Sequence, residues 1–515
     1  MRSLLLSFIV ASLHCSAQES VTSYWSGALS PTSIHIRARL SGPTDSVRVL
    51  ACAPPCTEEI ASPYTVADPS ADQVAAIELT GLQAGTPYTY RFEVNGVQDA
   101  SGTAAGSFTT PAFGTVSFSF VTGSCNGSSS HPVWQAMLDK DPLFFLSTGD
   151  LHYRDPNSLN IDIHRAPYRE DVLSFSPMKE FLRATPIAYV WDDHDFCGNG
   201  SDASFIGKAN AARAYREYVP HYPLHHPIGV HQSFTIGRVH FILSDLRSTK
   251  TGEEMMSGAQ LSWLLSEMLY ARDNGLVAAW VTSLTWNSVG YPENWACQPA
   301  ERTALNDVLF ALGVKDLFII AGDAHMLAID DGANADFSTA QDLRYHYPIF
   351  QAAALARWGS YKGGQFNQGG VFPNPSAAHG QFGEVVVEDN GFEVCITFNG
   401  WQTDGVGAEC GLVNSYTFCR TPGQILVGSP QPSSGDFFSW YAGEEGLMVR
   451  VPDRATAVET EVRDATGRLV LSERRAADHG TMHQPLPLLS AGLYTASIRC
   501  GSERSVLRFV AVPKR

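Results

Sequence analysis

The chain has 515 residues, 44% of them apolar and 17% charged, which excludes both a single small domain and a globally disordered polymer. Its 35 Lys and Arg against 52 Asp and Glu leave a formal charge of −17. That excludes a surface built to grip nucleic acid tightly or to lie on an anionic membrane, since both need clustered positive charge. An anionic substrate stays open, because bound cations reverse the potential inside a carboxylate-rich site. In chain order, residues 1–17 read first as a secretory signal: Arg2 supplies charge, Leu4 to Leu13 an apolar core, and Cys15-Ser16-Ala17 a small-residue cleavage site. This stretch is too short to anchor the chain across a bilayer, and no other run is long and apolar enough, so an exported protein without a transmembrane segment is expected.

Residues 18–112 alternate short strands and turns. Ser33–Arg39 and Tyr88–Val94 both have the period of two that half-buried strands show. The run from Leu79 to Phe92 resembles the corner before a late strand of fibronectin type III domains, so an Ig/FnIII-like β-sandwich is expected. From residue 113 the texture changes to continuous apolar runs, Val116–Val121, Leu143–Leu146, Ile187–Val190, Val239–Leu243, Ala278–Val281 and Leu317–Ile320. Between them lie helical patterns, the clearest opening on the capping box Ser257-Gly258-Ala259-Gln260 and closing at Asn274-Gly275. A layered α/β domain over residues 113–425 follows, two sheets flanked by helices. The Pro/Gly/Ser stretch within 426–440 reads as a linker, and 441–515 as a small C-terminal β-sandwich. Export implies an oxidising compartment. Of ten cysteines, Cys52 and Cys56 sit close enough for a local disulfide, while Cys395, Cys410 and Cys419 form a later group able to supply another. Removal of Cys15 with the signal leaves an odd number, so at least one thiol is free or otherwise employed.

Polar residues interrupt the apolar runs in a consistent way. Val116–Val121 leads into Gly123-Ser124-Cys125-Asn126, Leu143–Leu146 into Gly149-Asp150-Leu151-His152-Tyr153, Ile187–Val190 into Trp191-Asp192-Asp193-His194-Asp195, and Leu317–Ile320 into Gly322-Asp323-Ala324-His325. Open sheets place ligand sites at the carboxyl ends of their strands, and four such endings in one domain point to a shared site. Several carboxylates, an imidazole and a thiol are what a pair of cations needs for ligands. That inventory performs hydrolysis without a Ser or Cys nucleophile.

In this order and spread, the motifs Gly123-Ser124-Cys125, Gly149-Asp150-x-x-Tyr153, Trp191-Asp192-Asp193-His194-Asp195 and Gly322-Asp323-x-His325 resemble the PhoD-type alkaline phosphatases of the calcineurin-like superfamily. Phe241–Ser248 and the helix start Gln260-Leu261-x-Trp263-Leu264 add to the resemblance, which spans roughly residues 20 to 400. It implies Asp150 as a ligand bridging two metal ions. Cys125, Tyr153 and His325 are implied at iron(III), and Asp193, Asp323 and Asn199 at calcium. His194 is implied as the catalytic imidazole. A thiolate and a phenolate suit a high-charge cation better than calcium or magnesium. The implied reaction is phosphodiester or monoester hydrolysis by attack of metal-bound hydroxide, with no covalent phospho-enzyme. Asp192 and Asp195 are expected to orient neighbouring groups rather than bind metal. Asp245 and Arg247 are expected to pair with each other, with phosphate contact by Arg247 the second reading. The family pattern's further histidine has no counterpart; Thr285-Trp286-Asn287 stands there, with Asn287 a ligand or phosphate contact. His221, His225, His226 and His231 read as a surface loop.

The segments Val462–Val470 and Leu489–Tyr494 resemble the sorting domain of type IX secretion cargo, which implies secretion machinery as a partner. A small or polymer-end phosphate ester is the expected substrate. An adhesive or carbohydrate-binding β-sandwich protein with an inactive centre is the alternative, which the intact ligand set disfavours.

Overall fold

The computed structural model describes the chain except residues 1–19, 44, 100–105, 291–292, 340–345, 423–437, 442–446, 452–456, 465, 477–479, 488, 490–491, 501–502 and 512–515. The expected signal segment and most of the expected linker lie outside the described residues. No helix among the described residues is long and apolar enough to cross a membrane.

Alternation along the first strands builds the N-terminal layers. Ser33–Leu40 buries every second side chain, Ile34, Ile36, Ala38 and Leu40, against Val47, Val49, Tyr90 and Phe92 of the facing sheet. The Tyr88 hydroxyl accepts the Gln83 N–H at 2.9 Å, closing the corner that the Leu79–Phe92 run suggested. Cys52 and Cys56 are joined as a disulfide in the turn after Ser46–Cys52.

The N-terminal strands also pair into the central sheet. Val21–Gly27, Ser33–Leu40 and Val74–Thr80 complete one nine-stranded sheet that continues through Ile187–Tyr189, Phe145–Ser147, Phe118–Gly123, Gln381–Asp389, Val394–Thr403 and Cys410–Arg420. The join is the parallel pairing of Gly27 with Ile187. Trp25, fully buried in the central core, donates its indole N–H to the Tyr218 carbonyl at 2.5 Å. Asp72 accepts from Arg169 at 2.6 Å and from the Tyr218 hydroxyl at 2.5 Å.

The second sheet has seven strands, Gln232–Ile236, Val239–Ser244, Val277–Thr282, Leu317–Ala321, Ile349–Ala352, Met326–Asp330 and Gln368–Pro373. Its central strands are apolar on both faces, as strands covered on both sides must be. Phe241, Val281, Phe318, Ile320 and Phe350 face the first sheet, where Phe120 meets Phe241 edge to face at 5.3 Å. Their neighbours Ile242, Trp280, Leu317, Ile319 and Ile349 turn outward beneath the helix Gly258–Asp273. That helix begins where its capping residues require, with Ser257 Oγ accepting the Gln260 N–H at 3.3 Å. The result is a β-rich, multi-sheet fold with few helices, the N-terminal strands extending the first sheet.

Cys395 and Cys419 form a disulfide across the edge strands Val394–Thr403 and Cys410–Arg420, leaving Cys410 free. Replacing both by Ala should lower the unfolding free energy by about 3 kcal/mol, read as a shifted urea midpoint, because a closed loop no longer restrains the unfolded chain. The C-terminal strands form a three-stranded and a four-stranded sheet. Val458, Val462, Ala496 and Ile498 bury a core of their own. Its first strand, Phe438–Tyr441, begins inside the stretch expected to be linker.

Candidate metal centre

The three parallel strands Phe118–Gly123, Phe145–Ser147 and Ile187–Tyr189 lie side by side and end together. Their backbone pairing runs on into the loops. Thr148 N–H donates to Gly123 O at 3.2 Å, Asn126 N–H to Asp150 O at 2.8 Å, and Val190 N–H to Ser147 O at 3.2 Å. The loops are thereby held in register, which brings their polar tips to one place. The loop after Leu317–Ala321 arrives from the second sheet, and here the two sheets touch. A Cβ at Gly322 would lie 2.5 Å from Thr148 Oγ1 and 2.8 Å from Ser124 Oγ. At Gly149 (φ 109°) a Cβ would lie 2.4 Å from Asp192 Cβ, so only glycine fits between these loops.

Cys125, Asp150 and Asp323 follow with φ of 62°, 51° and 61°. Left-handed backbone at non-glycine residues costs free energy and persists where the surroundings impose it, as they do at functional sites. Three of the sequence-predicted ligands share this strain.

The side chains converge on Asp150. Its carboxylate, that of Asp193 and the His194 ring offer ligand atoms that all lie within 4.8 Å of one another. Tyr153 donates its hydroxyl to Asp150 Oδ2 at 3.0 Å, and Cys125 Sγ lies 3.6 Å from the same oxygen. Tyr153 Oη is 3.4 Å from His325 Nε2, and Cys125 Sγ is 3.8 Å from the Asp323 carbonyl. Cys125, Asp150, Tyr153, Asp193, His194, Asp323 and His325 are thus brought together. Asn287 is buried at the end of the neighbouring loop, its amide donating to Gln365 O at 2.5 Å and its Oδ1 left without a partner. Asn199 is exposed and takes part in none of the site's hydrogen bonds; the Gly200 backbone N–H reaches Asp193 Oδ2 instead, at 2.6 Å.

The flanking acids anchor the loops. Asp195 Oδ1 accepts the backbone N–H groups of Leu151 and His152 at 2.7 and 3.2 Å, fixing the turn that carries Asp150 and Tyr153. Asp192 accepts from Arg247 Nε at 2.5 Å and from Ser283 Oγ at 2.9 Å. The expected Asp245–Arg247 ion pair is therefore corrected. Asp245 is instead consumed by Trp191 Nε1 (2.8 Å), Ser248 Oγ (2.6 Å) and backbone N–H groups including Val230 (2.9 Å). Arg247, wholly buried, turns to Asp192 and stands 3.8 Å from Asp193. The histidine loop is corrected too: His231 is buried against Trp263, ring centroids 4.6 Å apart.

Three contributors had no motif to reveal them. Asp155 Oδ1 lies 2.5 Å from His194 Nδ1. Lys362 places its ammonium on Asp323, and the Trp358 carbonyl meets His325 Nδ1. Asp155 was within sight, two residues after Tyr153, but only the folded loop shows that it meets His194.

The electrostatics call for positive charge. Burial, reinforced by Asp193, Asp192, Asp195 and Asp323, holds the Asp150 carboxyl well above the usual carboxylate range. Burial and Asp150 likewise push the Cys125 thiol and the Tyr153 phenol up. Asp193 is buried as well, yet Arg247 and His194 draw it down to about 2. Burial raises Asp195 to about 7. Asp323 Oδ2 and Asp192 Oδ2 are buried with no hydrogen-bond partner. Unpaired buried carboxylate oxygens and crowded acids are costly unless a cation joins them. Thiol, phenol, imidazole and carboxylate donors around a shared Asp150 fit a pair of metal ions.

Residues 118–346 match the family model described as PhoD-like phosphatase. Among solved structures the chain is similar to PhoD, at 15% identity and a TM-score of 0.63 over 80% of this chain and 93% of that one; at this identity the likeness is one of fold. A β-glucuronidase from Parabacteroides merdae aligns over 96% of this chain and 78% of its own at 9% identity, but its TM-score of 0.26 carries no argument. No curated protein matches the chain. The matched segment holds every ligand candidate from Cys125 to His325, and together with the PhoD-like fold it supports a phosphoester hydrolase.

Proposed function

We propose that the chain is an exported, metal-dependent phosphoesterase acting on phosphodiesters, monoesters or both. The observation that carries this reading is the convergence on Asp150 of Cys125, Tyr153, Asp193 and His194, drawn from three adjacent strand ends. Cys125, Asp150, Tyr153 and His325 would hold the more Lewis-acidic ion, iron(III). Asp150, Asp193 and Asp323 would hold calcium. When bound, such a pair polarises a phosphoryl oxygen and acidifies water near neutral pH.

The chain's own residues handle the proton and the orientation. With Asp155 accepting from Nδ1, the tautomer of His194 is set and Nε2 is the atom left to meet the ester. Protonated there, His194 donates to the leaving oxygen. Asp195 holds the turn bearing Asp150 and Tyr153, and Arg247 neutralises Asp192. His194→Gln is expected to lower kcat about a hundredfold or more at unchanged metal content, the contribution typical of a placed acid. Asp155→Asn should lower it about ten- to a hundredfold by loosening the ring, with the pH–rate profile displaced, whereas a merely structural Asp155 would leave that profile in place.

The signal-like residues 1–17 and the sorting-domain resemblance of the C-terminal segments support export through a type IX route. The substrate is small or a polymer end, in keeping with the −17 charge. The test is hydrolysis of bis(p-nitrophenyl) phosphate and p-nitrophenyl phosphate by the purified protein, with metal analysis alongside. Turnover with iron and calcium bound supports the assignment. A metal-loaded protein inert on both esters would turn the reading toward a binding protein.

A further inference from the structure

We propose that the loop from Arg357 to Lys362 is the substrate-recognition element, and that it selects small phosphate esters carrying a planar ring of the nucleobase type. The inference rests on the phosphoesterase reading and adds a substrate class to it.

The loop is tied to the metal centre at both ends. The Arg357 guanidinium lies over the Tyr153 ring, 3.7 Å from its centroid. The Lys362 ammonium sits on Asp323. Between them, the Trp358 carbonyl meets His325 Nδ1, and Ser360 Oγ accepts the His325 N–H at 3.3 Å. Farther along, Asn294 Nδ2 donates to the Lys362 carbonyl at 3.2 Å. A loop held at so many points keeps its shape, and what it presents is built in rather than incidental.

It presents two aromatic rings to solvent. Trp358 is 68% exposed and Tyr361 is 55% exposed, whereas Trp280, Trp286 and Trp295 a short way behind are fully buried. The Tyr361 hydroxyl donates to the Gly364 carbonyl, which fixes the ring while leaving its face open. Exposed aromatic side chains cost hydrophobic free energy unless something covers them, and a pair beside a candidate catalytic centre marks a ligand contact. Lys362 is taken up by Asp323, but the Arg357 guanidinium beside the centre favours an anion there while the rings offer π faces close by. A base stacks on such faces without sequence-specific hydrogen bonds. An aliphatic ester would leave both rings wet.

The test compares p-nitrophenyl thymidine 5′-phosphate with p-nitrophenyl methyl phosphate, which share a leaving group and differ in the nucleoside, so the ring's share is read from the loss of preference in the aromatic-to-leucine variant. The wild type should favour the thymidine ester by about tenfold or more in kcat/KM, and Trp358→Leu with Tyr361→Leu should bring that ratio close to one. Thymidine 5′-monophosphate should also quench tryptophan fluorescence, and Trp358→Phe should remove most of the quenching. If the wild type hydrolyses both esters equally well, the proposal is overturned and the phosphoesterase reading stands. If neither diester nor p-nitrophenyl phosphate is hydrolysed, the phosphoesterase reading fails, and fluorescence decides the ring site: Trp358-dependent quenching supports it, and no quenching overturns it.

Discussion

Replacing Asp150 by Asn should lower kcat/KM for bis(p-nitrophenyl) phosphate by about a thousandfold or more, because on the proposed reading Asp150 would hold both ions, whose charge would supply several kcal/mol of transition-state stabilisation. Asn is close in shape, so the fold should survive. The metal-free protein should even melt at a higher temperature than the wild type. Asp150 is buried among Asp192, Asp193, Asp195 and Asp323, and an amide relieves that like-charge crowding. Bound metal measured by plasma emission should fall in parallel with activity. Unchanged metal content with lost turnover would remove Asp150 from the ligand set, and unchanged turnover would sink the metal-centre assignment altogether.

Arg247→Ala should destabilise the protein by about 3–5 kcal/mol, the cost of stranding a buried partner charge. The guanidinium is wholly buried, pairs with Asp192 at 2.5 Å and stands 3.8 Å from Asp193. Its removal leaves Asp192 uncompensated, already raised to about 6 by burial with Arg247 present. The double variant with Asp192→Asn should recover much of the stability, since the acid that needed Arg247 is gone. Denaturant unfolding of the two single variants and the double variant measures this directly. Additive losses would mean that the two residues act independently, against the geometry. Activity should fall in Arg247→Ala as well, because Asp192 and Asp193 share the turn that carries His194.

Both predictions concern residues whose types and positions stood out in the chain; the resemblance implied a role for Asp150, whereas the partner of Arg247 came only with the fold. Motifs at strand ends are local: an apolar run, a glycine, then a ligand, and the run itself forces the ligand to the strand's tip. That is why the strand-end positions of Cys125, Asp150, Asp193 and Asp323 were legible, and why the four taken together pointed to one site. The Ser257 cap, the start of the helix Gly258–Asp273 and the period of Ser33–Leu40 were legible for the same reason. The free, buried Cys125 and the two disulfides also agree with a thiol set apart from pairing.

What the tertiary structure decided lies in contacts between segments far apart along the chain. Arg247 chose Asp192, 55 residues away, over Asp245, two residues away, because Asp245 was already saturated by Trp191, Ser248 and the Val230 backbone. His194 acquired Asp155, and Asp193 Oδ2 acquired the Gly200 backbone N–H, while Asn199 stands exposed. The loop of Arg357, Trp358 and Lys362 has no periodicity, and it reaches the centre through contacts with Tyr153, His325 and Asp323 that no spacing along the chain foretells. The N-terminal strands read as strands from their period, but a period of two names the buried face of a strand and not its neighbour, so the pairing of Gly27 with Ile187 had no local signature. Periodicity and motif order are properties of neighbouring residues and are written in the chain; the partner of a buried charge or an edge strand is set by which surfaces meet when the two sheets close, and only the folded molecule holds that information.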